Sequence, residues 1–187
     1  MIRHLIVSLL VLGLIGCGTP TESYRLNIPA YSKNTSHSMG RYTVGIARVD
    51  LADYLDQPQI VQRQGDVKLH ILETKRWAGS LDTNIQQALA SVLRKYKAHT
   101  TFVIKPNDYP VHERYRIYVR IDRFDGDENG TVRLDGNWHL VRLDDDRTVA
   151  ARRFHQIRHG EPSIEGVVRT QSAMIDALAK HIASYLP

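Results

Sequence analysis

With 187 residues, 42% of them apolar and 24% charged, the chain has the size and composition of one ordinary globular domain. It is not collagen-like, disulfide-dense or wholly disordered, and its single cysteine rules out an internal disulfide or a cysteine-cluster zinc site within one copy. The net charge of +5 tolerates an anionic surface but does not mark a nucleic-acid binder.

The chain begins Met1-Ile2-Arg3-His4 and continues with an apolar run from Leu5 to Ile15, broken only by Ser8 and Gly13. As a helix this run spans about 16 Å, half of a ~30 Å hydrocarbon core, which is too short for an ordinary transmembrane helix. A basic start, a short apolar middle and small residues at its end predict a secretory signal peptide over residues 1–16. The lone cysteine closes it in Leu14-Ile15-Gly16-Cys17, which resembles the bacterial lipobox. The chemistry needs a thiol to take diacylglyceryl and a small residue ahead of it for peptidase approach. Cys17 is thus the expected lipid-attachment site and the first mature residue. One acyl chain binds a membrane only marginally, whereas two or more hold it stably. Gly18 follows where aspartate would favour the inner membrane, so the expected location is the outer membrane, periplasmic side.

Residues 17–40 form the predicted lipidated tether, rich in Thr, Ser, Pro, Asn and Gly, with an alternating stretch at Tyr24–Ile28 suited to an edge strand. The folded domain is expected over 41–187. Tyr42–Leu51 reads as a strand, Asp53–Asp56 as a turn, and Ile60–Arg63 and Val67–Leu72 as a hairpin about Gln64-Gly65-Asp66. Leu81, Ile85, Leu89, Val92, Leu93 and Tyr96 recur at helical spacing behind a Ser80 N-cap, which predicts a helix over 81–97. Thr101–Lys105 is strand-like. From Arg114 to Phe124 apolar and polar residues alternate as in a half-buried antiparallel strand, and two more strands follow at Thr131–Leu143 and Thr148–Arg158. The last stretch, Ser163–Leu186, carries a helical apolar seam. The pattern predicts an α+β, two-layer domain with an antiparallel sheet packed by two main helices.

Several chemistries are suggested and then fail on spacing. Asp125-Gly126-Asp127-Glu128-Asn129-Gly130 imitates half of a calcium loop, but Gly136 stands where the bidentate glutamate belongs, so a hairpin loop is the better account. His155 and His159 lie in a predicted strand, where four residues separate them by about 13 Å, too far to share a metal. No nucleophile elbow, Walker loop or dinucleotide fingerprint occurs. No catalytic residue, metal site or cofactor is therefore expected, and the chain is not read as an enzyme. The arginines of strand 114–124, with Arg133, Arg152 and Arg153, could build a basic sheet face. Tyr118 is its main aromatic, too thin an interleaving for nucleic acid, and Asp122, Asp135 and Asp144 would balance it. Such a face could also dock an acidic partner or anionic headgroups.

Asp53-Tyr54-Leu55, Gln59-Ile60-Val61-Gln62-Arg63 and Arg76-Trp77-Ala78-Gly79-Ser80-Leu81, with Phe124-Asp125-Gly126 and Val132–Trp138, resemble the ABC-type transport auxiliary lipoproteins, nearest their Pqi-type members. Ala52 and Ser80 stand where that family often has proline. The resemblance implies an outer-membrane-anchored component of an intermembrane lipid transport system that contributes to membrane integrity. Its implied partner is a PqiB-like MCE-domain channel protein, whose end it would dock, and a ring-like homo-oligomer would suit a tubular partner. Alternatives are a structural envelope lipoprotein, or a periplasmic lipid-binding carrier with no MCE partner. Trp77 and Trp138 are expected in the core.

Overall fold

The computed structural model of the protein describes residues 20–27, 40–107 and 110–187. Nine strands and two helices are described, in the order β1 (Glu22–Tyr24), β2 (Thr43–Ile46), β3 (Asp50–Leu51), a 3-10 turn (Asp53–Leu55), β4 (Gln59–Gln64), β5 (Lys68–Trp77), α1 (Leu81–Tyr96), β6 (Thr101–Ile104), β7 (Tyr115–Asp127), β8 (Thr131–Arg142), β9 (Arg147–His159) and α2 (Ile164–Ala183). All nine strands belong to one sheet. None of the described helices is long and apolar enough to cross a membrane.

The sheet is mixed, which corrects the antiparallel expectation. β7 is its spine. Along one edge it pairs antiparallel with β8 from Tyr115↔Arg142 to Gly126↔Val132, and β8 pairs antiparallel with β9 in turn. Its other edge is taken up by three successive pieces of the segment 43–64, all parallel to it. Val44–Ile46 face Tyr115–Ile117, Asp50 and Leu51 face Arg120 and Ile121, and Gln62 and Arg63 face Gly126 and Asp127. The route between segment 43–64 and β7 passes through α1, and a helical crossover returns the chain in a parallel sense. Alternation reveals which face of a strand is buried but not the direction of its neighbour, so the sequence pattern alone did not expose this. β6 extends the sheet beyond β2, and β5 then β1 extend it beyond β4.

Boundaries moved where pairing overrode pattern. The strand expected over Tyr42–Leu51 is two strands, with Val49 turned into the core between them. β7 runs three residues past Phe124, so Asp125, Gly126 and Asp127 are strand rather than loop; only Glu128-Asn129-Gly130 turn the chain. An irregularity between Ile121 and Arg123 shifts the inward phase from odd positions to Phe124 and Gly126. The edge strand near Tyr24 forms at Glu22–Tyr24, parallel to β5, and Leu26 just after it is buried.

Both helices cover one face of the sheet. α1 buries Leu81, Ile85, Leu89, Val92 and Leu93, and α2 buries Val168, Ile175, Leu178 and Ile182, against Ile117, Val119, Ile121, Leu134, Trp138 and Leu140. Ser163 caps α2 by accepting from Gly166 N (3.0 Å), whereas Ser80, at the α1 N-cap, donates to Thr83 Oγ1 (2.9 Å). Trp77 and Trp138 are both buried, as expected. The Trp138 ring meets His181 and Tyr185 edge-on, at 5.9 and 5.2 Å between centroids. Gly136, across from the irregularity in β7, lies where a Cβ would come within 2.1 Å of Arg120 O, so only glycine fits there.

Candidate functional site: the open face of the sheet

Among the described residues, the opposite face of the sheet carries no α-helix. Residues paired directly across strands share a face, so Tyr118, His139 and Ala151 line up there, as do Arg120, Asn137 and Arg153, and Asp135 with His155. Arg120 reaches Asp50 on β3 (2.5 Å) and Asp122 (2.9 Å), all half-exposed. His155 pairs with Asp135. Arg133 and Arg153 are exposed, with no ion pair among the described residues. The outermost strand, β9, pairs only with β8 among the described strands and contains four arginines, two histidines and no carboxylate.

The basic face predicted from sequence is therefore present with one correction. Arg152 is not part of it. Adjacent strand residues point to opposite faces, and Arg152 lies on the helix side, donating from Nε to Tyr185 Oη (3.2 Å) with its guanidinium 5.1 Å from that ring centre.

At the far end of the open face, three of the five segments that carried the family resemblance converge on one carboxylate. Asp125, 1% exposed, accepts from Tyr54 Oη (2.7 Å), from Arg63 Nε and Nη2 (2.9 and 3.1 Å) and from Arg123 Nε (3.2 Å). Tyr54 comes from the 3-10 turn, Arg63 from β4, Arg123 and Asp125 from β7. Burial alone would raise the Asp125 pKa, but hydrogen bonds from Arg63 and Tyr54 and the charges of Arg123 and Arg63 outweigh it and hold the carboxyl below its usual value. The same burial, with Asp125 beside it, pushes the Tyr54 hydroxyl up. All the groups of this cluster are mutually satisfied, so it ties the 43–64 segment to β7 and offers no group poised to react.

A second buried carboxylate repeats the arrangement at the other end of β7. Glu113 lies 3.1 Å from Lys105 Nζ and 2.9 Å from Arg116 Nε, packed over Gly45, where a Cβ would come within 1.8 Å of its Oε2. Burial opposes its ionisation, and those two cations lower its pKa nonetheless. Sequence reasoning singled out neither carboxylate as a structural anchor. Asp125 was hidden in a turn-like composition, and Glu113 precedes the strand whose alternation drew attention.

Other predicted positions fall as follows. Asp127 Oδ1 accepts from Asn129 N (3.0 Å) and Thr131 N (2.8 Å), fixing the β7–β8 turn, so the calcium-like segment divides between a buried ion cluster and a turn cap. His155 and His159 both lie on β9 and engage different partners, Asp135 and Thr131. No group of metal-binding side chains occurs among the described residues. Leu14, Ile15, Gly16 and Cys17 lie outside the described residues.

No curated protein matches the sequence significantly. Among solved structures, an uncharacterized protein shares 18% identity at a TM-score of 0.73, over 88% of this chain and 97% of that one. A protein from Xanthomonas campestris shares 14% identity at a TM-score of 0.69, over 88% and 94%. At these identities the likeness is one of fold. The model of the family described as ABC-type transport auxiliary lipoprotein component matches residues 24–183, from β1 to the end of α2. The chain belongs to that family of auxiliary lipoproteins.

Proposed function

We propose that the protein is a lipid-anchored, non-catalytic docking subunit of an envelope transport system, attached through Cys17 to the outer membrane on its periplasmic side. Its partner is an MCE-domain channel protein of the Pqi type, whose distal end it receives, and the activity served is intermembrane lipid transport. The observation that carries this reading is the family match over 24–183, immediately downstream of a lipobox at Leu14–Cys17. The open face supports it physically, because Arg133 and Arg153 stand exposed on it with no ion pair among the described residues and the outer edge of β9 is unpaired among the described strands, which suits recognition of an acidic protein surface. A ring-like homo-oligomer follows from symmetry, since a tubular partner presents rotational repeats that a cyclic assembly matches.

The test is affinity capture of the full chain from envelope membranes, wild type against Cys17→Ala. Wild type is expected to incorporate palmitate, fractionate with the outer membrane and bring down an MCE-domain protein. The variant loses the label and the fractionation. Unchanged palmitate incorporation in the variant removes the anchoring assignment, and a labelled wild type that captures no MCE-domain protein removes the partner. Sedimentation of the captured complex as a single monomeric copy of this chain removes the ring.

A further inference from the structure

We infer that the tip of the β4–β5 hairpin, Gly65-Asp66-Val67, is a second contact with the lipid bilayer, held there by a short leash. This rests on the proposed attachment at Cys17. Five peptide steps separate Cys17 from Glu22, the first residue of the sheet, and they span at most about 18 Å. β1 runs parallel to β5 with Glu22 opposite Lys75, so the chain leaving β1 toward its N-terminus travels along β5 in the direction of the hairpin turn.

Counted along β5 from Lys75, five residues of reach end at His70, so the chain length lets Cys17 come no nearer the turn than that. The turn at Asp66-Val67 lies three to four residues further, or about 10–13 Å beyond the anchored residue. With β5 directed at the membrane, an anchor at its surface brings the turn into the interfacial layer. In that orientation a leash that is not fully stretched draws it deeper.

The side chains agree with that position. Val67 is 94% exposed, the most exposed large apolar residue described, and Ile71, four residues further along in β5, is also exposed. Gly65, at φ +66°, and the Arg63 Nη1 bond to Asp66 O (3.1 Å) make the turn tight and rigid, so Val67 is presented rather than folded back. Asp66, Asp127, Glu128 and Glu161 at this end of the sheet are accompanied by Lys68, Arg158 and Arg169, a mixed set that includes the Arg169–Glu161 pair. The contact is therefore apolar and shallow, and it follows anchoring rather than replacing it.

The experiment uses the full, lipidated chain in vesicles of phosphatidylethanolamine and phosphatidylglycerol. Cys17 is the only cysteine and its sulfur is blocked by the thioether, so one introduced thiol can be labelled with an environment-sensitive fluorophore. At Val67→Cys the emission is expected to shift to the blue and to be quenched by nitroxide-bearing lipids. At Asp144→Cys, in the β8–β9 turn at the opposite end of the sheet, neither change is expected. A long Gly/Ser insertion after Gly18 should return the Val67 probe to an aqueous spectrum. Palmitate labelling is read in every sample. A labelled protein whose Val67 probe stays aqueous, or whose probe ignores the insertion, overturns the leash while the anchor stands. A protein without palmitate overturns the anchor and the leash together.

Discussion

The two edges of β7 are built on different principles. Toward β8 the contact is a continuous antiparallel ladder, interrupted once near Ile121, and the helix-side residues of both strands pack beneath α2. Toward segment 43–64 there are only three short parallel contacts, of three, two and two residue pairs. Where backbone hydrogen bonds are few, polar side chains supply the attachment. The Asp125 cluster holds the β4 end, Arg120 with Asp50 the middle, and Gln86 Nε2, donating from α1 to Ile46 O (2.9 Å) and Lys105 O (2.7 Å), the end of β2. One edge is held by repetition and the other by a few specific bonds, so single substitutions should act on them differently.

The largest loss is expected on the ladder edge, at its apolar side. Trp138→Ala empties a fully buried site between β8 and the end of α2 and should cost about 3–5 kcal/mol, read from urea unfolding at constant m. A loss below ~1 kcal/mol would mean that α2 closes over the gap and that the ladder does not depend on this packing.

On the patched edge the corresponding substitution is Asp125→Ala. It leaves Arg63 and Arg123 facing one another without their carboxylate, and removing one partner of a buried pair costs about 3–5 kcal/mol. Proteolysis should then begin within 43–64 rather than within β7–β9, because local opening follows the weaker attachment. Acid tests the same cluster. The Asp125 carboxyl is held below its ordinary value when folded, so its contribution is full above the unfolded pKa of about 3.9 and disappears as pH falls through the lower folded value. Wild-type stability should decline from about pH 4 downward, and Asp125→Asn should decline less steeply. Equal slopes would place the acid sensitivity elsewhere, Glu113 being the next group to examine.

Tyr54→Phe removes one donor to that carboxylate and leaves the guanidinium bonds, and a hydrogen bond to a charged group contributes about 1.5–3 kcal/mol. The loss should fall at or below the lower figure and vanish in an Asp125→Ala background. Additivity in that double-mutant cycle would show that the hydroxyl acts through something other than Asp125.

The same contrast explains what could be read from the residues. Tyr115, Ile117, Val119 and Ile121 alternate without interruption, and Leu81, Ile85, Leu89 and Val92 keep helical period, so the long strand and α1 were visible as patterns. The patched edge has no pattern of comparable length. Two- and three-residue pairings leave too few positions to alternate, and their parallel sense depends on a crossover that no local signal records. Asp125 illustrates both difficulties. It follows a shift in inward phase, within a string rich in aspartate and glycine, so its composition reads as a turn while its position is a buried strand. Arg152 and Arg153 could have been assigned to opposite faces from their adjacency alone. The proposed anchoring sequence at Leu14–Cys17 rests on a signal of another kind, the order of residue types along the chain, which needs no tertiary partner.

The smallest effect is expected at the middle of the patched edge. Arg120 bridges Asp50 on β3 and Asp122 on its own strand, with side chains half-exposed on every member of the group. Water and salt screen such pairs, and ordering a long side chain offsets much of the attraction. Arg120→Ala should therefore leave the urea midpoint where it is and change only the local opening of β3, read as faster amide exchange at Ala52, whose N–H donates to Ile121 O at 2.9 Å. An unchanged midpoint with unchanged exchange would mean that β3 is held by its two backbone pairs alone. A large fall in midpoint would mean that the exposed bridge is as much a fastener as the buried Asp125 cluster, and that burial does not distinguish the two.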